Sequence, residues 1–298
     1  RQRCRNFIYR EKQKVKISYL KYFFALLLFG TNGIVASFID LNSYEIVLFR
    51  TLIGSALLVF LFLLGRNKFT FYKNKKHFSF LFISGIAMGL SWMLLYEAYA
   101  RIGVSISSLL YYCGPVIVMM LSPFLFKERP TALKVVGFIV VFVGIFFVNG
   151  NVLNGSADAF GILCGVLSAV MYSFMVIFNK KAHDITGLEN ATLQLVISFL
   201  TVAVFVGFKQ RFIIDISESD ILPLIILGIV NTGVGCYFYF TSIGKLPVQT
   251  VAICGYIEPL STVLFSAVLL GETMLPIQIA GAVLIVSGAI ISECIKRR

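Results

Sequence analysis

Charge is scarce in this sequence. Asp, Glu, Lys and Arg make up 13% of 298 residues, against about 25% in a soluble globular domain. That excludes an ordinary water-soluble fold. Histidine occurs twice, at His77 and His183, and tryptophan once, at Trp92. The sequence has no H-E-x-x-H, no G-x-S-x-G and no P-loop, so the common hydrolase and nucleotide-binding chemistries have nowhere to sit. No ligand cluster suits zinc, and neither a cofactor nor a metal is expected. Cys4, Cys113, Cys164, Cys236, Cys254 and Cys294 show no C-x-x-C spacing and read as small apolar residues kept reduced. The basic run RQRCRNFIYREKQKVKISYLK has no cleavage-site pattern, so it reads as a tail rather than a signal peptide. No methionine precedes Met88, so the native start is expected to lie upstream.

What the sequence has instead is apolar length. Hydrophobic residues make up 58%, and the mean hydropathy is +0.90. Ten apolar runs fall at about 19–38, 44–64, 78–100, 104–125, 131–149, 159–178, 188–208, 220–241, 248–269 and 275–294. Runs of about 20 residues are long enough to cross roughly 30 Å of hydrocarbon. The expected fold class is therefore all-α: a polytopic membrane protein with ten transmembrane helices. Behind a basic cytoplasmic tail at 1–18, the repeats are expected at 19–149 and 159–294.

The net charge of +12 follows the membrane rather than any nucleic acid, for which no motif exists. With the N-terminus placed inside, 22 Lys and Arg fall on the inner side and three, Arg101, Lys209 and Arg211, on the outer side. That bias predicts a cell-membrane protein with both termini cytoplasmic, whose basic face touches membrane lipids.

The chain repeats internally. Pro115, Glu128, Gly137 and Gly144 recur as Pro259, Glu272, Gly281 and Gly288, all at an offset of 144. Tyr96 with Ile102-Gly103 recurs as Tyr237 with Ile243-Gly244 at an offset of 141. Five runs per half means that the second half starts from the opposite side, so the repeats are inverted. That is the architecture of secondary transporters, whose sites lie near the midplane at helices broken by Pro or Gly in matching positions of both halves. Pro115 and Pro259 are expected to be such kinks.

Two five-helix halves, each with P-x12-E followed by G-x6-G, resemble the drug/metabolite transporter superfamily, EamA type; Arg50 closing EIVLFR fits the same pattern. The resemblance implies ten helices, a small-molecule substrate, and metabolite or amino-acid export in which protons are the candidate coupling ion. Flipping of a lipid-linked substrate would use the same scaffold, and an intramembrane enzyme is the weaker alternative. The sequence departs from two-fold symmetry where Gln194 matches Arg50 and Gly114 matches Glu258.

Polar and aromatic residues within the runs are the candidate site. Glu258 lies near the centre of the ninth run, with Cys254, Gly255, Ser261, Thr262 and Ser266 on its side of the helix. Pro259 donates no N–H, which is expected to free the Gly255 carbonyl. Glu258 is then either a protonation or binding switch on a cavity wall, or a neutral group locked to a neighbouring helix. Gly85, Gly89, Trp92, Tyr96 and Tyr99 share one helix face, small at one end and aromatic at the other. Gly233 matches Trp92 in the second half, which predicts a gap opposite the indole. Tyr111, Tyr112, Asn32, Asn231 and Tyr237 are further cavity candidates or hydrogen-bonding links between helices. Gln194 and Gln249 are expected to reach water at run ends. Arg50 and Glu97 lie at similar depth, which suggests an ion pair, an outer gate or a carboxylate-binding arginine; Glu97 has Arg101 at i+4 as an alternative partner. Glu128 and Glu272 read as turn or helix-start supports.

Overall fold

Long apolar runs satisfy their own backbone groups as helix, and a few polar caps set where each helix begins. The computed structural model describes residues 2–127, 130–149, 158–210, 216–269 and 275–293; the side chains of some helical residues, Cys4, Pro259 and Ser266 among them, fall outside that description. Glu128, Glu272, Cys294 and the connections 151–157 and 211–215 also lie outside the described residues. Among the described residues there is no strand.

The first half comprises α1 (Gln2–Gly30), α2 (Asn32–Ala36), α3 (Ser43–Leu64), α4 (Lys75–Tyr111), α5 (Cys113–Phe126) and α6 (Ala132–Asn149). The second comprises α7 (Ala159–Lys181), α8 (Gly187–Gln210), α9 (Glu218–Ile226), a wide π-helical stretch (Leu227–Val234), α10 (Gly235–Ile243), α11 (Val248–Cys254), α12 (Ile257–Leu269) and α13 (Pro276–Glu293). Asn42 and Glu45 form a capping box at the start of α3, as Ser217 and Asp220 do at α9. Lys127 ends α5 in the left-handed region, at φ 56°.

Six segments are long and apolar enough to cross a membrane: Val15–Ala36, Ser43–Leu64, Lys75–Ile102, Ala159–Lys181, Gly187–Lys209 and Glu218–Ile243. The other expected runs appear as shorter helices. The connection expected at 101–103 is instead helical, because Arg101 bonds back to Glu97 one turn earlier and supports the helix there. The ninth run is two helices, α11 and α12.

Packing repeats when the halves are exchanged. Helix α1 packs on α10 and α12, as α7 packs on α4 and α5; α3 meets the π-helical stretch as α8 meets α4. Helices α6 and α13 pack on each other through the repeated glycines. A Cβ on Gly144 would lie 2.7 Å from the Gly281 carbonyl, and one on Gly288 would lie 2.6 Å from the Gly137 carbonyl. Gly144→Leu is therefore expected to force these helices apart at about 1–3 kcal/mol. Thermal unfolding in detergent should show a lowered midpoint; an unchanged midpoint would contradict this close contact.

The helix breaks also match. Helix α4 ends at Tyr111, one turn before Pro115, and α11 ends at Cys254, one turn before Pro259. The Tyr256 hydroxyl donates to the Tyr112 carbonyl at 2.9 Å, so one break is anchored on the other. The Gly255 carbonyl is not freed as expected: the Glu258 N–H reaches it at 3.1 Å in a tightened turn.

Candidate functional site

Two adjoining pockets lie between the halves and share Phe29, Asn32, Trp92, Tyr111 and Glu258. The larger is also lined by Arg50, Tyr96, Tyr99, Tyr112 and Thr262. The smaller extends to Tyr172, Tyr239, Met88, Met175 and Cys236. Bends built into the chain bring these residues together. The α1–α2 break delivers Asn32, and the breaks before Pro115 and Pro259 deliver Tyr112 and Glu258.

Arg50 is 2% exposed, and each of its three guanidinium nitrogens donates one hydrogen bond, three of the five N–H donors an arginine carries. Nε donates to the Thr232 hydroxyl at 3.0 Å, one terminal nitrogen to the Tyr96 hydroxyl at 2.9 Å, and the other to Asn32 Oδ1 at 3.4 Å. Its central carbon sits 4.5 Å from the Trp92 ring centroid, a cation–π contact. The π-helical stretch positions Thr232, whose hydroxyl in turn donates to the Leu227 carbonyl at 2.8 Å. Among the described residues the acceptors bonded to Arg50 are uncharged, and the carboxylate that lines the same pocket is Glu258. The expected Arg50–Glu97 pair does not form. Glu97 accepts from Arg101 Nε at 2.7 Å and from the Tyr44 hydroxyl, because i,i+4 geometry on one helix holds Arg101 closer than α3 holds Arg50. Arg101 continues to Asp158 at 3.0 Å and holds that carboxyl below the usual carboxylate range.

Glu258 lines both pockets. Among the described residues no ion pair or side-chain hydrogen bond reaches its carboxylate. The nearby hydroxyls of Ser261 and Thr262 donate to its backbone carbonyl instead, at 2.7 and 3.1 Å. The lock to a neighbouring helix that the sequence allowed is thus missing from this arrangement.

Several expectations are corrected. Of the two readings for Asn231, cavity lining is not seen, while the link between helices is: its amide donates to the Leu28 carbonyl at 2.9 Å and the Thr31 hydroxyl at 2.8 Å, holding the α1–α2 bend. Tyr237 lies away from the pockets beneath Lys21, whose ammonium is 5.2 Å from its ring centroid. Tyr239 takes the inward place, because the wide turns of Leu227–Val234 rotate the following helix away from an α-helical register. No gap faces Trp92 at Gly233: a Cβ there would meet Leu57 at 2.7 Å. Gln194 and Gln249 are buried rather than wet, bonded to Asn179 at 3.2 Å and to Ser122 at 3.2 Å.

Sequence reasoning also missed a tyrosine cluster beneath Glu258. The Tyr172 and Tyr239 hydroxyls are 3.4 Å apart, and Tyr22 donates to the Val251 carbonyl at 2.7 Å. None of the three has a tyrosine at its repeat-related position, so the repeat gave no signal.

Comparison with known proteins adds identity to this geometry. Residues 16–150 and 159–293 each match the EamA-like transporter family. A Bacillus subtilis (strain 168) protein named "Uncharacterized transporter YxxF" is 24% identical over 93% of this chain and 89% of its own length. A Salmonella typhimurium (strain LT2) protein named "Probable amino-acid metabolite efflux pump" is 28% identical over 63% of this chain and 66% of its own. An Escherichia coli K12 protein of the same printed name is 27% identical over 63% and 66%. One solved crystal structure superposes with a TM-score of 0.79 and 19% identity, covering 94% of this chain and 99% of that one, a likeness of fold.

Proposed function

This chain belongs to the EamA-like transporter family, and on that premise we propose that it exports an amino acid or a similar zwitterion across the cell membrane in exchange for protons. It is a multi-pass membrane transporter rather than an enzyme. The observation that carries the reading is that one pocket is lined both by the Glu258 carboxylate, which no side-chain hydrogen bond reaches among the described residues, and by the buried guanidinium of Arg50. A substrate carboxylate suits the Arg50 fork, and a substrate ammonium suits Glu258. The rings of Trp92, Tyr96, Tyr99, Tyr111 and Tyr112 suit an apolar or aromatic side chain. The printed names of two relatives agree with this class of substrate.

A proton and a substrate ammonium would compete for the Glu258 carboxylate. Mutually exclusive occupancy of one group exposed alternately to the two sides is sufficient for antiport. The proposed frame has ten crossings, with inverted repeats at 19–149 and 159–294 behind a basic tail at 1–18 and both termini cytoplasmic. The matched packing of the halves and the charge asymmetry of the connections support it.

Trp92 offers a direct check, since it is the chain's sole tryptophan and its ring stacks on Arg50. Titrating detergent-solubilised protein with a panel of amino acids is expected to give a saturable change in tryptophan emission for those that bind. Saturable binding of a labelled amino acid with no change in emission would place the substrate elsewhere.

A further inference from the structure

The chain's two histidines meet at one end of the bundle. His77 lies in the first turn of α4; His183 and Asp184 lie in the connection between α7 and α8, with Asp184 107 positions beyond His77. The imidazole centroids are 4.2 Å apart. His77 Nδ1 is 2.9 Å from one Asp184 carboxylate oxygen, and His183 Nδ1 is 2.9 Å from the other. One ligand atom from each of the three residues lies within 4.8 Å of the other two. None of the three lines the pockets around Glu258.

We propose that His77, His183 and Asp184 form a binding site for one borderline divalent transition metal of the zinc class, with water in the fourth position. Two imidazoles and one carboxylate are an open three-ligand zinc set. Tetrahedral bonds of about 2.0–2.2 Å place ligand atoms about 3.4 Å apart, so small rotations of these side chains suffice. The carboxylate already has an outer partner: Asn74 Nδ2 donates at 2.5 Å to the same Asp184 oxygen that faces His77, the kind of support that metal-binding carboxylates need. His77 is buried, while His183 and Asp184 are exposed, which gives the site both a fixed base and an entry path.

The surroundings do not choose the class of ion. Lys180 turns its ammonium to the carbonyls of Ile243, Gly244 and Leu246, and Lys181 lies over the rings of Phe80 and Phe178. That basic neighbourhood disfavours any dication alike, so the donor set decides: two imidazoles and a single carboxylate supply too few oxygens for magnesium or calcium. Imidazole donor bonds favour zinc, nickel and copper instead. The cluster helps to fasten this connection, since the Asp184 N–H donates to His77 Nδ1 at 3.2 Å, a bond that metal ligation would replace, and other contacts hold it as well. Ala182 and Ile185 pack on Leu81, and Asn190 bonds Asn179 and the Ile185 carbonyl.

Zinc chloride titrated into purified, chelator-treated protein lacking a histidine tag tests the site by calorimetry. One zinc per chain is expected, without competition from magnesium. His77→Ala and His183→Ala should each weaken affinity at least about tenfold. X-ray absorption at the zinc edge of the wild-type protein needs no variant to fold, and should show two imidazoles among nitrogen and oxygen ligands. Absence of saturable zinc binding, affinity unchanged in both variants, or a coordination sphere with fewer than two imidazoles would overturn the proposal.

Discussion

Arg50→Lys is expected to leave the protein folded and to lower apparent substrate affinity at least about thirtyfold, close to 2 kcal/mol, the low end for losing one partner of a buried charged contact. The lysine keeps the charge but cannot reproduce the arginine fork. Arg50 donates in three directions, to Thr232, Tyr96 and Asn32, while its plane stacks on Trp92. An ammonium is a point charge on a flexible stem and serves such a site poorly. Arg50→Ala is harsher, because it leaves two buried acceptors, Thr232 and Tyr96, and the half-buried Asn32 without their donor, at about 1–3 kcal/mol for each buried one that stays unsatisfied. Its unfolding midpoint should fall below that of the lysine variant. Equilibrium binding of a labelled amino acid, measured beside the unfolding midpoint of each variant, separates recognition from stability. Wild-type affinity in a folded Arg50→Lys protein would remove Arg50 from the binding account.

Glu258→Gln should separate binding from coupling. The amide keeps the shape of the side chain but neither ionises nor exchanges a proton. Loss of a charged hydrogen-bond acceptor costs about 1.5–3 kcal/mol, so affinity for a zwitterion should fall at least about tenfold while remaining measurable. Accumulation driven by a pH gradient should disappear, and the residual exchange of labelled for unlabelled substrate should no longer vary with pH. The comparison is clean because the rest of the wall is held independently of the carboxylate: Ser261 and Thr262 bond the Glu258 carbonyl, and Tyr256 bonds Tyr112. A variant with the wild-type rate and pH profile would make Glu258 structural.

The features legible in sequence were those that local chemistry imposes. The repeated prolines point to matching helix breaks, which fall about one turn before Pro115 and Pro259, whereas the unrepeated Pro123 and Pro223 lie inside α5 and α9. Glycines that recur at the same spacing marked the seam where Gly144 meets Gly281 and Gly288 meets Gly137. Trp92, Tyr96, Tyr99, Tyr111, Tyr112, Asn32 and Glu258 line the pockets, because α-helical periodicity holds through α4 and matching breaks turn both halves inward. Legibility ended where periodicity changed or where the partner was distant. The π-helical turns exchanged Tyr237 for Tyr239. Depth alone paired Arg50 with Glu97, whereas the fold gave each a different set of partners. The asymmetric tyrosines Tyr22 and Tyr172, like the His77–His183 contact, depend on packing between segments that no local pattern relates.

The most direct measurement is flux. Wild-type protein reconstituted in liposomes, with a pH-sensitive dye inside and a labelled amino acid outside, is given an acidic interior. The account predicts accumulation of the amino acid against its gradient, together with loss of internal protons, and no comparable uptake of analogues lacking either the ammonium or the carboxylate. Uptake that leaves internal pH untouched, or that serves those analogues equally well, would contradict it.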